Sequence, residues 1–138
     1  MIFSRSDTGR NTAGAIGATY RGLCDSVREA PYVHTDDTGW REGGSPAWLM
    51  VFETDAATVY QVRPRHRNEE VRERVPADYA GVMITDRGTG YDTVEPAAVK
   101  KQKCLAHVVR LLSEALEGKA RGARRFAKRL KGLLKQAL

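Results

Sequence analysis

The run AWLMVFE, Ala47 to Glu53, constrains this chain most. It is near-continuously apolar, as a strand is when both of its faces are buried. Strand-like neighbours flank it. PYVHTD, Pro31 to Asp36, precedes it; ATVYQV, Ala57 to Val62, rich in β-branched and aromatic residues, follows it. The links REGGSP and TDA carry turn-forming residues and are short enough for antiparallel hairpins. A three-strand antiparallel meander is therefore expected.

Helical spacing brackets the meander. Ile16, Tyr20, Leu23, Cys24 and Val27 share one apolar face, which predicts a helix from about Ala15 to Glu29, ended by Pro31. Residues 1–14 are polar and lack a period, so they are expected to form a disordered leader. Asn68 to Val75 reads as a short charged helix. GVMITD, Gly81 to Asp86, reads as a compact strand, and RGTGYD after it as a loop. VKKQKCL, Val99 to Leu105, is either a fifth strand or the lead-in to a helix. Leu105, Val108, Val109, Leu112 and Leu116 then line a helical face, with Gly118 as C-cap. A last helix sets Phe126, Leu130, Leu133, Leu134 and Ala137 against a basic side. The 138 residues suffice for one α/β domain, a mixed sheet with helices packed on it. Its core spans 15–118 and a basic amphipathic helix spans 119–138.

The formal charge of +6 points to a polyanionic partner, most commonly nucleic acid, or to a basic surface with no such role. No acid follows Glu117, so the basic charge collects at the C-terminus. There Lys128 and Arg129 are candidates for tracking DNA phosphates. The same helix also fits a solvated element packed by its apolar stripe, or one lying on an anionic membrane. Arg63, Arg65, His66 and Arg67 form a second basic cluster, read either as a DNA contact or as an exposed turn. No apolar run reaches the ~20 residues of a membrane span. The first residues lack the apolar core of a signal peptide. The two cysteines do not form a secreted disulfide framework. A cytoplasmic location is expected.

Two strand-like runs end in aspartate, at Asp36 and Asp86. If the two strands are neighbours, the carboxylates converge. Like charges held close repel, and a divalent cation removes the repulsion. Mg²⁺ takes hard oxygen ligands, commonly one or two carboxylates plus phosphate oxygens. The plain alternative is that aspartate favours turns and often ends strands. Within HTDDTGW, His34 to Trp40, the adjacent Asp36 and Asp37 should point to opposite faces. One is expected to face the metal, the other to be solvated or bonded to Thr38 or Arg41. Cys104 and His107 make a Cys-x-x-His pair, but structural zinc needs four ligands, so packing is the competing reading.

The run HTDDTGWREGGSPAWLMVFETDAATVY resembles the first catalytic segment of the insertion-sequence 66 family of DDE transposases. Its pattern there is Asp-Glu-Thr-Gly, a polar hairpin, then Trp-Leu-Trp-Val. VRPRHRNEEVRERVPADYAGVMITDRGTGYD is similar to the family's second segment, and QKCLAHVVR to its Gln-x-Cys-x-x-His-x-x-Arg. The resemblance covers the chain from about Ala15 to its end and implies a ribonuclease-H-like fold with three metal-binding acids. By position Asp36 is the first acid and Asp86 the second; Asp37 stands where the family usually has glutamate. The implied cofactor is Mg²⁺ or Mn²⁺ and the implied partner DNA, with full-length transposase or a second copy as further partners and no membrane. Tyr91 is expected to pack near the site rather than act as a nucleophile.

The family's third acid, a glutamate, lies well downstream of the Cys-x-x-His motif, where this chain has none. The family's upstream DNA-binding part also has no counterpart. The expectation is a truncated catalytic domain of an enzyme that cuts and joins DNA at transposon ends, inert or weak by itself. The alternatives are a non-catalytic remnant that binds DNA or transposase, and a nuclease completed by Glu114 or Glu117.

Overall fold

The structure is a computed structural model that describes residues 7–86, 88–91, 99–118 and 124–136. Helix α1 (Asp7–Glu29) leads into strands β1 (Tyr32–Glu42), β2 (Ser45–Glu53) and β3 (Thr58–Arg63). Helix α2 (Asn68–Arg72), strand β4 (Val82–Thr85), a 3-10 turn (Thr89–Tyr91) and strand β5 (Lys100–Lys103) follow. Helices α3 (Leu105–Glu117) and α4 (Arg124–Lys135) complete the described chain.

The sheet order is β3-β2-β1-β4-β5. β2 runs antiparallel to β1 and β3, whereas β4 runs parallel to β1 and β5. This is the mixed sheet with flanking helices that the sequence pattern led one to expect, a three-strand antiparallel meander extended by two parallel strands. VKKQKCL resolves as strand β5 followed by the start of α3. The β1–β2 hairpin closes through Gly43 (φ 56°) and Gly44 (φ 86°). Both lie in the left-handed region, which a tight two-residue hairpin turn needs and glycine occupies at no steric cost.

One sheet face carries the core. Val33 of β1, Met50 and Phe52 of β2, Val59 of β3 and Met83 of β4 meet Cys24 and Val27 of α1 and Val71 of α2. Val75, Tyr79 and Tyr91 close the cluster. Alternation explains the membership: Thr35 and Asp37 pair with Phe52 and Met50, so all four share this face.

Helix α1 begins at Asp7 rather than near Ala15, and residues 1–6 lie outside the described part. Among its described side chains, the buried ones lie in the C-terminal half. Of the expected stripe, Cys24 and Val27 are buried and Tyr20 packs against the core, but Ile16 and Leu23 are exposed. The C-terminal helices differ in the same way. Helix α3 has no fully buried residue, and α4 turns Ala127 inward while Phe126 and Leu133 face solvent. Ala137 lies outside the described residues. Gly118 is the C-cap of α3, as expected; it holds right-handed φ (−87°), and its amide donates to the Glu114 carbonyl.

Candidate active site

The parallel β1–β4 ladder runs from Tyr32↔Val82 to Thr35↔Thr85. Asp36 and Asp86 are the next residue on each strand, so the register carries both carboxylates to the same end of adjacent strands. Asp36 does not end its strand, as the sequence had suggested. β1 continues to Glu42, paired there only with β2, because the hairpin outruns β4.

Asp36 keeps about half of its side chain exposed (48%). Its Oδ1 accepts the Asp37 amide (2.9 Å), and its Oδ2 lies 3.5 Å from His107 Nε2. Asp86 Oδ1 accepts the Gly88 amide (2.6 Å), which turns the chain sharply after β4. The Asp86 carbonyl accepts the Thr85 hydroxyl (2.7 Å) and the Lys103 ammonium (3.1 Å), fixing the backbone beneath the carboxylate. Helix α3 closes the site. His107, Arg110, Leu111 and Glu114 lie at i, i+3, i+4 and i+7, and with Asp86 and Gly88 they line a cleft of about 300 Å³. Glu117 is not among its lining residues. His107 Nδ1 is buried with no hydrogen-bond partner among the described residues.

This donor set fits a hard cation held by two carboxylates, with the remaining ligands left to water or phosphate oxygens. Among the described residues, no three His, Cys, Asp or Glu side chains come together as a ligand group, at Cys104 and His107 or elsewhere. Both cysteines are free, Cys24 buried and Cys104 half-buried. The Cys104 amide donates to the Thr85 carbonyl (2.7 Å), so the Cys-x-x-His segment ties α3 to the end of β4 and delivers His107 to Asp36. Residue reading alone had not placed His107 beside an acid; its recurrence in the Gln-x-Cys-x-x-His pattern was the available signal.

Asp37 takes the opposite face. Its carboxylate is 10% exposed, accepts the Tyr91 hydroxyl at Oδ1 (2.9 Å) and meets His66 Nδ1 at Oδ2 (3.1 Å). The partners suggested from sequence, Thr38 and Arg41, are not used; Arg41 donates to the Gly44 carbonyl (3.2 Å). Burial, and then the Asp37 charge, raise the Tyr91 hydroxyl far above the ordinary tyrosine range. Tyr91 is 2% exposed and packs in the core cluster beside the site.

The basic cluster after β3 divides. Arg63 makes a bidentate pair with Glu73 (Nε donates to Oε1, 3.1 Å, and Nη2 to Oε2) that raises the Arg63 pKa and lowers that of Glu73. This guanidinium is occupied within the fold, whereas Arg65 and Arg67 are exposed. Arg63→Ala should therefore cost up to about 1 kcal/mol in urea melts. On α4, Lys128 and Arg129 are exposed, and Lys128 joins Arg124, Arg125, Lys131 and Lys135 along a groove of about 620 Å³.

A profile of the Transposase IS66 family matches residues 7–137. The chain belongs to that family. Solved structures similar to this IS66-family chain include a simian T-cell lymphotropic virus intasome bound to the PP2A regulatory subunit B56 gamma. It is 14% identical with a TM-score of 0.43, over 70% of this chain and 46% of that one. This chain thus spans about half the length of the viral one. Two others are magnesium complexes of the HTLV-2 integrase catalytic core domain. The trimeric form matches over 70% of this chain and 80% of that one, the dimeric form over 71% and 83%. Each is 14% identical with a TM-score of 0.43. No curated protein matches. Among the described residues, no helix of the IS66-family chain is long and apolar enough to cross a membrane.

Proposed function

We propose that this chain is the metal-binding core of a DNA-cutting and -joining transposase, acting in the cytoplasm, with Asp36 and Asp86 as its ligands for Mg²⁺ or Mn²⁺. The parallel β1–β4 register carries the reading, because it sets both carboxylates one residue past the same ladder. When bound, the cation would activate the attacking oxygen and offset charge on the leaving one in phosphodiester transfer. The chain's own residues hold that site in shape. Lys103 and Thr85 fix the Asp86 backbone, His107 flanks Asp36, and Arg110 supplies positive charge at the cleft. Arg65, Arg67, Lys128 and Arg129 would track DNA phosphates.

The 138 residues by themselves are proposed to be weak or inert in strand transfer. Two carboxylates hold a cation weakly, and in-line chemistry on DNA demands tighter positioning. Glu114 is the acid that α3 brings to the Asp86 cleft, yet it does not complete a three-ligand group among the described residues. A second reading, association with full-length transposase or another copy, draws on the exposed Phe126 and Leu133 of α4.

Calorimetric titration with Mg²⁺ and Mn²⁺ tests the proposal. The unaltered chain should bind, and Asp36→Asn and Asp86→Asn should each remove the signal. Binding indifferent to both substitutions would refute a shared site.

A further inference from the structure

We infer that the cleft beside the Trp48–His66 stack is a subsite for one unstacked nucleotide of a DNA strand. The inference rests on the DNA-processing reading above and names where a strand would be gripped away from the acids.

Trp48 of β2 and His66 of the β3–α2 loop lie face to face, ring centres 3.5 Å apart and planes 10° from parallel. Trp48 covers one face of the imidazole and Asp37 occupies its Nδ1 edge, yet 38% of the His66 side chain remains exposed. The exposed part of the residue opens onto a cleft that Trp48 also lines, where a base could extend the stack. Such platforms hold single strands without regard to sequence. The cleft, about 460 Å³, is lined by Trp48, His66, Arg65, Arg67 and one acid, Glu69, among others, so two arginines against one carboxylate leave the platform net positive where a strand's phosphates would run.

The platform is held on two sides. A Cβ on Gly90 would come within 2.4 Å of the His66 carbonyl oxygen, so the loop after β4 packs directly on the His66 backbone. Asn68 Nδ2 also reaches the Gly90 carbonyl (3.4 Å). On the other side Asp37 anchors the ring, and Asp37 adjoins Asp36 in sequence. The subsite and the acid pair are thus linked through one dipeptide of β1 and the one loop that follows β4.

The chain has two tryptophans, and Trp40→Phe leaves Trp48 as the sole reporter. Decathymidylate, titrated in EDTA to exclude any metal site, should quench Trp48 fluorescence saturably. Arg65→Ala/Arg67→Ala in that background should weaken binding about tenfold or more. It should also reduce the log–log salt slope by about 1.4, the single-strand value for two lost phosphate contacts. Asp36→Asn/Asp86→Asn should leave the quench intact. Metal binding could thus fail while the quench survives, which would sink the acid-pair reading alone. Three results overturn the subsite: no binding, binding without Trp48 quenching, or affinity that survives the arginine pair and disappears in Lys128→Ala/Arg129→Ala.

Discussion

Asp37→Ala should lower stability by about 2–3 kcal/mol, whereas Asp36→Ala should change it by less than about 1 kcal/mol. The two carboxylates are consecutive and chemically identical, so the difference comes from what each faces. Removing Asp37 strands the Tyr91 hydroxyl, on a residue 2% exposed, and frees His66 from its anchor. A buried donor left without an acceptor bears its full desolvation cost. Asp36 is half exposed and loses one bond to a neighbouring amide and a 3.5 Å contact to His107, both open to solvent exchange. Urea unfolding of both variants reads the contrast. Equal effects would show that Asp37 is not the structural member of the pair. Metal affinity should divide the other way, lost with Asp36 and retained with Asp37→Asn, which keeps the side chain's shape.

Phe52→Ala is expected to cost about 3–5 kcal/mol, the range for truncating a fully buried phenylalanine. Phe52 is fully buried in β2, opposite Thr35 on one side and Val59 on the other. A domain of this kind is stable by roughly 5–15 kcal/mol, so the variant should be near the edge of folding. Tyr60→Ala is the control. Tyr60 is 58% exposed, and its contact with Tyr20 is made by its carbonyl oxygen, so the change should fall within about 0.5 kcal/mol. A denaturation midpoint for Phe52→Ala close to that of Tyr60→Ala would contradict the placement of the core.

AWLMVFE revealed the fold so well because Met50 and Phe52 sit at strand spacing on the buried face of β2. The hairpins were equally readable, since Gly43 and Gly44 announce their turn by composition. Helix faces were less so. The apolar spacing of α1 and α4 is real, but among the described side chains of those helices only Cys24, Val27 and Ala127 are buried. Periodicity reports an apolar face and not what covers it. The alignment of Asp36 with Asp86 was legible only as a condition, because strand adjacency depends on a crossover through α2. The partners of Asp37 were not legible at all. His66 and Tyr91 lie 29 and 54 positions away, brought in by tertiary packing rather than local spacing. Arg63 shows the same limit: its charge was plain in the sequence, its capture by Glu73 was not.

The register that places the acids also sets when they meet. β1, β2 and β3 pair with near neighbours in sequence, through closures of a few residues. β4 must return across the α2 segment to lie against β1, and the acids it aligns are 86 − 36 = 50 positions apart. Contacts closed over long loops bear more chain entropy and tend to form after local ones. The meander should accordingly assemble first, with one acid already in place, and the second acid should arrive only as β4 docks. A cation that requires both would then bind the docked state alone and stabilise it by mass action. In refolding experiments Mg²⁺ should slow the undocking of β4 far more than it speeds formation of the hairpins.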